Sequence, residues 1–518
     1  MNAPLLAWYL PPGLEEGLEA TVQRFGPPHD AVEIRLPVVT PEDIGRWVAA
    51  LRGARAMHLA TRTTRAIAKP LERVARRFLD PEDDARGALV DALTRAGRFA
   101  PGEIGRALDD AFAPLAGGGI ERWIAAELGA ADVLDRLSSR GGGPARRAHG
   151  PEWMLHVYAG NVPAVPVWPM FAALLLKSAL LAKTASREPL LAPLLARAIA
   201  AEDPGLGECL AVAWWKGGAG ENDRAALGHA PAVLAFGGGS AIAATARSAR
   251  PDAILSLHGP RVSVACVARE ALAPAALEDI ARRAALDVSL YDQQGCLSPH
   301  AIYVERGGRA TPRDLAEALA RALDAAALAS PRADLDAEEA ARARLYRAQA
   351  EFEAAAGGNA TEVFGSPEGT GWTVVLERGA RFEPGPGHRV VRVHAVDDLE
   401  EAIAALRTHA GDLEAVALEA AGPHGPKLQA AVAALGVPRV AALGRLQQPS
   451  PLGRHGGTGF LAPFVRWTTV DSRGRTAASP RRAGRKTAVR DPRATRGSAS
   501  RPSARGSRPG ARGSGRSR

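Results

Sequence analysis

From about Pro41 to Ser138 apolar residues recur three and four positions apart with charged residues between them, as in "PEDIGRWVAALR", "TTRAIAKPLERVARRFL" and "IERWIAAELGAADVLDRL". That period predicts a run of amphipathic helices. After a glycine- and arginine-rich loop, "SSRGGGPARRAHGPE", the pattern changes to short apolar runs that stop at glycine. "WMLHVYAG" ends at Gly160, "CLAVAWWKGG" at Gly217 and Gly218, and "AVLAFGGGS" in three glycines, with helical stretches between or after them. Strand, glycine turn, helix is the rhythm of a parallel α/β sheet, whose ligands gather at the carboxyl ends of its strands. The second half keeps it. "ILSLHG", "SVACVA", "AIYVER", "GWTVVLE", "RVVRVHA" and "AVALEA" predict strands, and "LEDIARRAALDV", "TPRDLAEALARALDAAALA" and "DLEEAIAALRTHAG" the helices between them. Thr311 is placed to cap the middle helix, with Pro312 at its first position and Leu315, Leu319 and Leu323 on one face.

One stretch, "VPAVPVWPMFAALLLKSALLA" from Val162 to Ala182, is nearly apolar over a membrane-spanning length. Three prolines in its first eight residues, and Lys177 inside it, predict instead a loop that enters a buried core helix. The chain has 518 residues, 46% of them hydrophobic and 23% charged, enough for two or three domains with sizeable cores and no membrane span. Its net charge of +9 is an end effect. Residues 472–518 hold fourteen Arg and one Lys against Asp491, so the tail carries +14 and the body −5. Almost free of large apolar side chains, this tail is expected to be disordered, a solvated extension first and a polyanion contact only second. Three cysteines, Cys209, Cys266 and Cys296, are too few for a disulfide framework and lack zinc-site spacing. With no basic n-region ahead of an apolar run, a reducing cytoplasm is the expected compartment.

The stretch "DQQGCLSPH" raises the chemical question. No His or second Cys lies within a few residues of Cys296 except His300, so no metal is expected. A thiolate is a good nucleophile toward a thioester or aldehyde carbonyl, and an acyl group held on sulfur stays electrophilic enough to accept hydride. Cys209 and Cys266 read as structural. Asn161, in "GNVP", reads by itself as a turn residue.

Taken in order, "AGNVP", "LLAKTASRE", "WWKGG", "FGGGSAIAAT" and "QQGCLSP" make the chain resemble the aldehyde dehydrogenase superfamily over about residues 30–470. Within it, the resemblance is to the LuxC-type acyl-CoA reductases of bacterial bioluminescence operons. It implies an α/β, aldehyde dehydrogenase-like fold: a Rossmann-type cofactor-binding domain, an α/β catalytic domain, a helical N-terminal region and the disordered basic C-terminal tail. The corresponding boundaries are 1–150 for the helical part of the cofactor-binding domain, 151–255 for its dinucleotide-binding core, 256–440 for the catalytic domain, 441–471 for a segment returning to the body and 472–518 for the tail. Cys296 then stands at the nucleophile's place, and Asn161 at that of the side chain which, with the Cys296 backbone N–H, receives the oxyanion. Lys183 takes the place that holds the cofactor's adenosine ribose. Three residues on, where NAD-preferring members often carry a glutamate, stand Ser186 and then Arg187, which with Lys216 favours a 2′-phosphate and so NADPH. Gly217, Gly218 and the run Gly237 to Ser240, including Gly239, let backbone approach the cofactor, Ser240 opening a helix that faces the pyrophosphate.

A departure points to direction. Oxidising members carry a water-activating glutamate in "L-E-L-G-G-K"; here the stretch is "LSLHGPR", with Ser256 or a neighbour at that place and no carboxylate from Ala253 to Arg269. The implied reaction is reduction of a medium- or long-chain acyl-CoA or acyl-carrier thioester to the aldehyde, with an acyl-transferring partner protein and self-association expected by resemblance. The family's second ribose-binding glutamate has no secure counterpart, Glu383 being nearest, and His455 in "LGRHGG" reads as a loop histidine. Two rivals stand beside this reading: an oxidising NAD(P)-dependent aldehyde dehydrogenase, and a non-catalytic relative that binds nucleic acid through the tail.

Overall fold

The computed structural model describes residues 5–26, 31–97, 99–139, 143–218, 220–357, 361–369 and 371–470. The arginine-rich tail, expected to be disordered, lies outside the described residues. The chain opens with a three-stranded sheet that the periodicity did not foreshadow, β1 (Leu5–Leu6), β2 (Ala20–Phe25) and β3 (Val32–Pro37), in the order β1-β3-β2. The predicted helical region follows as α1 (Pro41–His58), α2 (Thr64–Leu79), α3 (Asp84–Arg95), α4 (Pro101–Phe112) and α5 (Gly119–Leu128). Local chemistry starts these helices. Thr40 caps α1 in a reciprocal box with Asp43, ahead of Pro41 at the first position, and Thr63 caps α2. Helix α2 buries Ile67, Leu71, Val74 and Phe78, and Phe78 stacks on Phe112 of α4 with ring centroids 4.9 Å apart.

After β4 (Ala145–His149) comes the first α/β unit: β5 (Trp153–Val157), α6 (Val167–Leu175), β6 (Ala179–Lys183), α7 (Leu191–Glu202), α8 (Pro204–Glu208), β7 (Leu210–Ala213), α9 (Glu221–Leu227), β8 (Ala232–Phe236), α10 (Gly239–Ser248) and β9 (Ile254–His258). Its five strands are all parallel, in the order β7-β6-β5-β8-β9. The chain leaves β5 first to one side and later to the other, which opens a crevice beyond the carboxyl ends of β5 and β8. The stretch expected to run as one buried helix is divided: α6 ends at Leu175 and a central strand begins at Ala179. Lys177 makes the break, with φ 59° and its ammonium 2.7 Å from Asp135. A run in which every position is buried has no periodicity to tell helix from strand.

The second unit comprises β10 (Val262–Val267), α11 (Pro274–Ser289), β11 (Pro299–Glu305), α12 (Pro312–Ala329), α13 (Ala337–Ala355), β12 (Glu362–Gly365), β13 (Thr373–Arg378), β14 (Val390–Val396), α14 (Leu399–Leu406), β15 (Leu413–Glu419), α15 (His424–Ala433) and β16 (Arg439–Ala441). Its sheet order is β12-β13-β14-β11-β10-β15-β16, parallel except at β12. Thr311 caps α12 as expected, and Leu315, Leu319 and Leu323 are buried. Helix α13 escaped the sequence pattern because it buries only Glu339, Ala343 and Ala350, leaving Leu345 and Phe352 exposed. The chain ends its described part in β17 (Arg466–Val470), antiparallel to β4. Cys209 and Cys266 are core residues, and no helix among the described residues is long and apolar enough to cross a membrane.

Candidate active site

Cys296 lies in the turn between α11 and β11. The three residues Tyr291, Asp292 and Gln293 ahead of it have φ of 54°, 52° and 60°. A left-handed non-glycine residue costs on the order of 1–3 kcal/mol, so the surroundings must impose this turn. They do so with side chains. The Asp292 carboxylate accepts from Arg389 Nε at 3.0 Å and from the Ala333 N–H at 3.1 Å. The Gln293 amide donates to the carbonyls of Pro299 and Val390 at 2.8 and 2.9 Å and accepts from the Val390 N–H at 2.8 Å. A second left-handed pair, His388 and Arg389, meets the first, the His388 N–H donating to the Asp292 carbonyl at 3.1 Å. Farther along, Ser263 Oγ donates to the Cys296 carbonyl at 2.8 Å.

The turn delivers Cys296 to a cavity of about 610 Å³ that Asn161, Val162, Trp168, Tyr291 and Phe460 also line. Asn161 Nδ2 donates to the Gln294 carbonyl at 2.8 Å, and its second amide N–H remains for a ligand. The two loops are in close contact: a Cβ added to Gly295 would lie 3.1 Å from Val162 Cγ2. The sequence-predicted nucleophile and amide thus share one cavity. Burial, reinforced by the charge of Glu414, pushes the Cys296 thiol up to about 12.

Ser256 is buried, its hydroxyl 3.0 Å from His258 Nε2, and it is not part of the cavity wall. A carboxylate enters from another strand. Glu414 of β15 is only 2% exposed and lines the cavity. Its Oε1 accepts from the Gly456 N–H at 2.9 Å and lies 3.1 Å from His455 Nδ1, while Arg261 stands 3.7 Å from Oε2. Against a burial penalty that would raise it, bonding to His455 and Gly456 holds the Glu414 carboxyl below its ordinary range. His258 stacks on Phe236 at 4.8 Å and sits 5.0 Å from the His455 ring; burial, then the neighbouring His455, pushes it down to about 4. His455 does occupy a turn, as its sequence suggested, but that turn is cavity wall. Glu414, His258 and Arg261 were not singled out, and no spacing could have marked residues drawn from separate segments. Glu383 pairs with Arg381 at 2.5 Å and is not part of the cavity wall.

The glycine turns and Lys183 gather beyond the carboxyl ends of β6, β7 and β8. Lys183 Nζ lies 5.8 Å from the Trp215 ring centroid, and a Cβ on Gly217 would stand 3.2 Å from it. Burial lowers the pKa of this ammonium, opposed by the charge of the nearby Asp223 carboxylate. The Trp214 indole donates to Ser186 Oγ at 3.1 Å, and the Gly218 N–H to Asp223 at 2.8 Å. Gly239 and Ser240 open α10, exposed, with free space around Gly238 and Gly239. The buried Thr184 hydroxyl has no partner. A half-buried cation, open glycine backbone and a helix N-terminus together fit an extended anionic ligand such as a dinucleotide. Arg187 does not join them: its guanidinium bonds Glu339 at 2.5 Å and Asp336 at 2.7 Å, the capping box of α13.

Comparison with known proteins bears on the fold and the family. The family described as Acyl-CoA reductase (LuxC) matches residues 59–467. A long-chain acyl-protein thioester reductase of Aliivibrio fischeri is 28% identical over 281 residues, 54% of this chain and 55% of that protein. One from Photorhabdus luminescens is 31% identical over 189 residues, 36% of this chain and 38% of that protein. The chain spans about half the length, or less, of these curated relatives. Among solved structures, Aldehyde Dehydrogenase C of Pseudomonas syringae, in complex with NAD+ and octanal, superposes with a TM-score of 0.67 at 16% identity, covering 89% of this chain and 96% of that one. At that identity the likeness carries the fold, which is aldehyde dehydrogenase-like as the resemblance implied. The family match runs through both large sheets and both loops of the cavity, and the chain belongs to the acyl-CoA reductase family of the LuxC type.

Proposed function

We propose that this chain reduces a long-chain fatty acyl thioester, presented as acyl-CoA or on a carrier protein, to the free aldehyde, using NADPH and an acyl group held on Cys296. The observation that carries the reading is the shared cavity of Cys296 and Asn161, in which the lining carboxylate Glu414 is already engaged by His455 and Gly456. Cys296 Sγ attacks the thioester carbonyl, the bond to the donor sulfur breaks, and a thiol leaves. The second N–H of Asn161 and the backbone N–H of Cys296 receive the charge that develops on oxygen, donors worth about 3–4 kcal/mol each when aimed in advance. The nicotinamide, when bound, supplies hydride to the acyl carbon. Lys183 and Ser186 hold the ribose end of the cofactor and the N-terminus of α10 its pyrophosphate. The bias to NADPH comes from the half-buried Lys183 ammonium and the missing carboxylate at Ser186.

Mixing the protein with palmitoyl-CoA in the absence of reductant is expected to add one acyl mass, mapped to Cys296, and to release one thiol. Cys296→Ala is expected to show neither. Adding NADPH is then expected to discharge the adduct as hexadecanal faster than NADH does. No adduct, or an adduct surviving in Cys296→Ala, overturns the reading; turnover only of aldehyde with NADP and no acyl acceptor would favour the oxidising rival.

A further inference from the structure

Acyl transfer to Cys296 leaves a proton to be moved, since the attacking group is a thiol and the departing group a thiolate. Burial makes that thiol a weak acid, at about 12, so a cavity group that takes the proton and returns it would speed the step. Several titratable groups line the wall. His258 is held near 4 by burial and the neighbouring His455, and its Nε2 is 3.0 Å from Ser256 Oγ. Burial raises the Tyr291 phenol out of reach. Glu414 stays anionic under its contacts with His455 and Gly456. Asp110 of α4 is raised by burial, and one of its oxygens has no partner.

His455 differs from all of these in how it is held. Its Nδ1 is 3.1 Å from the buried Glu414 carboxylate, which fixes the proton on Nδ1 and leaves Nε2 as the acceptor. Its ring lies parallel to Phe460 at 6.4 Å and beside Phe236 at 5.7 Å, so one orientation is imposed from several sides. The groups facing it are Glu414 from β15, His258 from β9, Arg261 from the segment before β10 and Arg454 from its own loop. Of these charges, those of Glu414 and Arg261 are felt at the Cys296 sulfur itself, in opposite directions.

We infer that His455, oriented by Glu414, carries the Cys296 proton to the departing thiol during acyl transfer. The inference rests on the proposed acyl transfer and adds the proton carrier that step requires. As the Sγ–C bond forms, the thiol proton passes to His455 Nε2, and the Glu414 carboxylate stabilises the resulting imidazolium. As the bond from carbon to the donor sulfur breaks, the same proton passes to that sulfur. The step ends with a Cys296 thioester, a free thiol and a neutral His455, with no net proton uptake and no redox change. A carboxylate, an imidazole and a nucleophile in series is a recurrent solution to this problem on unrelated folds.

The test follows acyl-enzyme formation and thiol release from palmitoyl-CoA, without nicotinamide, between pH 5 and 9, with iodoacetamide alkylation of Cys296 as a second readout. His455→Gln is expected to slow acylation by about 10²–10⁴-fold. His455→Ala is expected to regain part of the rate with added imidazole. Glu414→Gln is expected to lose roughly tenfold or more, because an amide no longer fixes the tautomer. Thermal melts of each variant separate these losses from unfolding. Wild-type acylation rates in His455→Gln overturn the inference, as does the same loss in Asp110→Asn instead. Absence of any adduct in wild type, with alkylation still dependent on His455, would sink the acyl-transfer reading and leave the proton carrier standing.

Discussion

Lys183 and Arg187 are close neighbours in sequence, and residue chemistry alone offers both to a cofactor phosphate. Their surroundings separate them. The Lys183 ammonium lies beside Trp215 and faces the glycine turns, with Asp223 nearby, whereas Arg187 is spent on Glu339 and Asp336. Lys183→Ala is therefore expected to weaken NADPH binding at least tenfold, read by quenching of the Trp214 and Trp215 fluorescence. Arg187→Ala is expected to leave that affinity within about twofold and to lower stability, because it strands the 6%-exposed Glu339 carboxylate. Equal weakening by both changes would return Arg187 to the cofactor. Cys296 and Asn161 were legible because their neighbours in sequence, glycine and proline, are also their neighbours in space. The commitment of Arg187 was not, because its partners lie on α13, far along the chain.

At the scale of elements, the turn ahead of Cys296 is the costly feature. Its three left-handed residues depend on a clamp between α11, β11 and β14, in which Arg389, 1% exposed, meets Asp292 at 2.8 Å. Removing one member of a buried pair leaves the other charge stranded, at about 3–5 kcal/mol. Arg389→Ala is expected to lower the melting temperature accordingly and to slow Cys296 alkylation in the protein that remains folded. A melt unchanged from wild type would show that the turn does not need the clamp. Nothing in "YDQQGC" announces this geometry, since none of the strained residues is a glycine. Elements with a clear period or cap, such as α2 and α12, could be read in advance. Strand β6, buried at nearly every position, and helix α13, which buries mainly alanine, could not.

At the scale of the molecule, buried titratable groups couple stability to pH in two directions. Burial pushes His156 from 6.5 to about 3, so above pH 6.5 both folded and unfolded chains hold it neutral and its full contribution is present. As pH falls below 6.5 the unfolded chain takes up the proton first, and stability is lost until the folded value is reached. Burial raises Asp287 from 3.8 to about 7, against bonds from the Gly444 and Leu446 N–H groups, and this works oppositely: its contribution is present below 3.8 and is lost as pH rises through 7. Relative to His156→Asn, wild type is expected to lose about 1.4 kcal/mol per pH unit between 6.5 and 4, and relative to Asp287→Asn to gain a similar amount as pH falls over the same range. Denaturant titrations at three pH values check both, and parallel curves for wild type and either variant would refute that arm.

The sequence by itself determined the alternation of strand, glycine turn and helix, the caps at Thr40 and Thr311, and the placing of Cys296 and Asn161 at loop tips. Each of these follows from interactions within a turn or two of chain, where spacing along the sequence is distance in space. Only the tertiary structure decided that Glu414, His455 and His258 share a wall with the thiol, that Arg187 is spoken for, and that two left-handed segments support each other. Those facts depend on which distant segments the packing of two sheets brings within a few ångströms, and burial, which sets the charge state of every group in the cavity, exists only once that packing is complete.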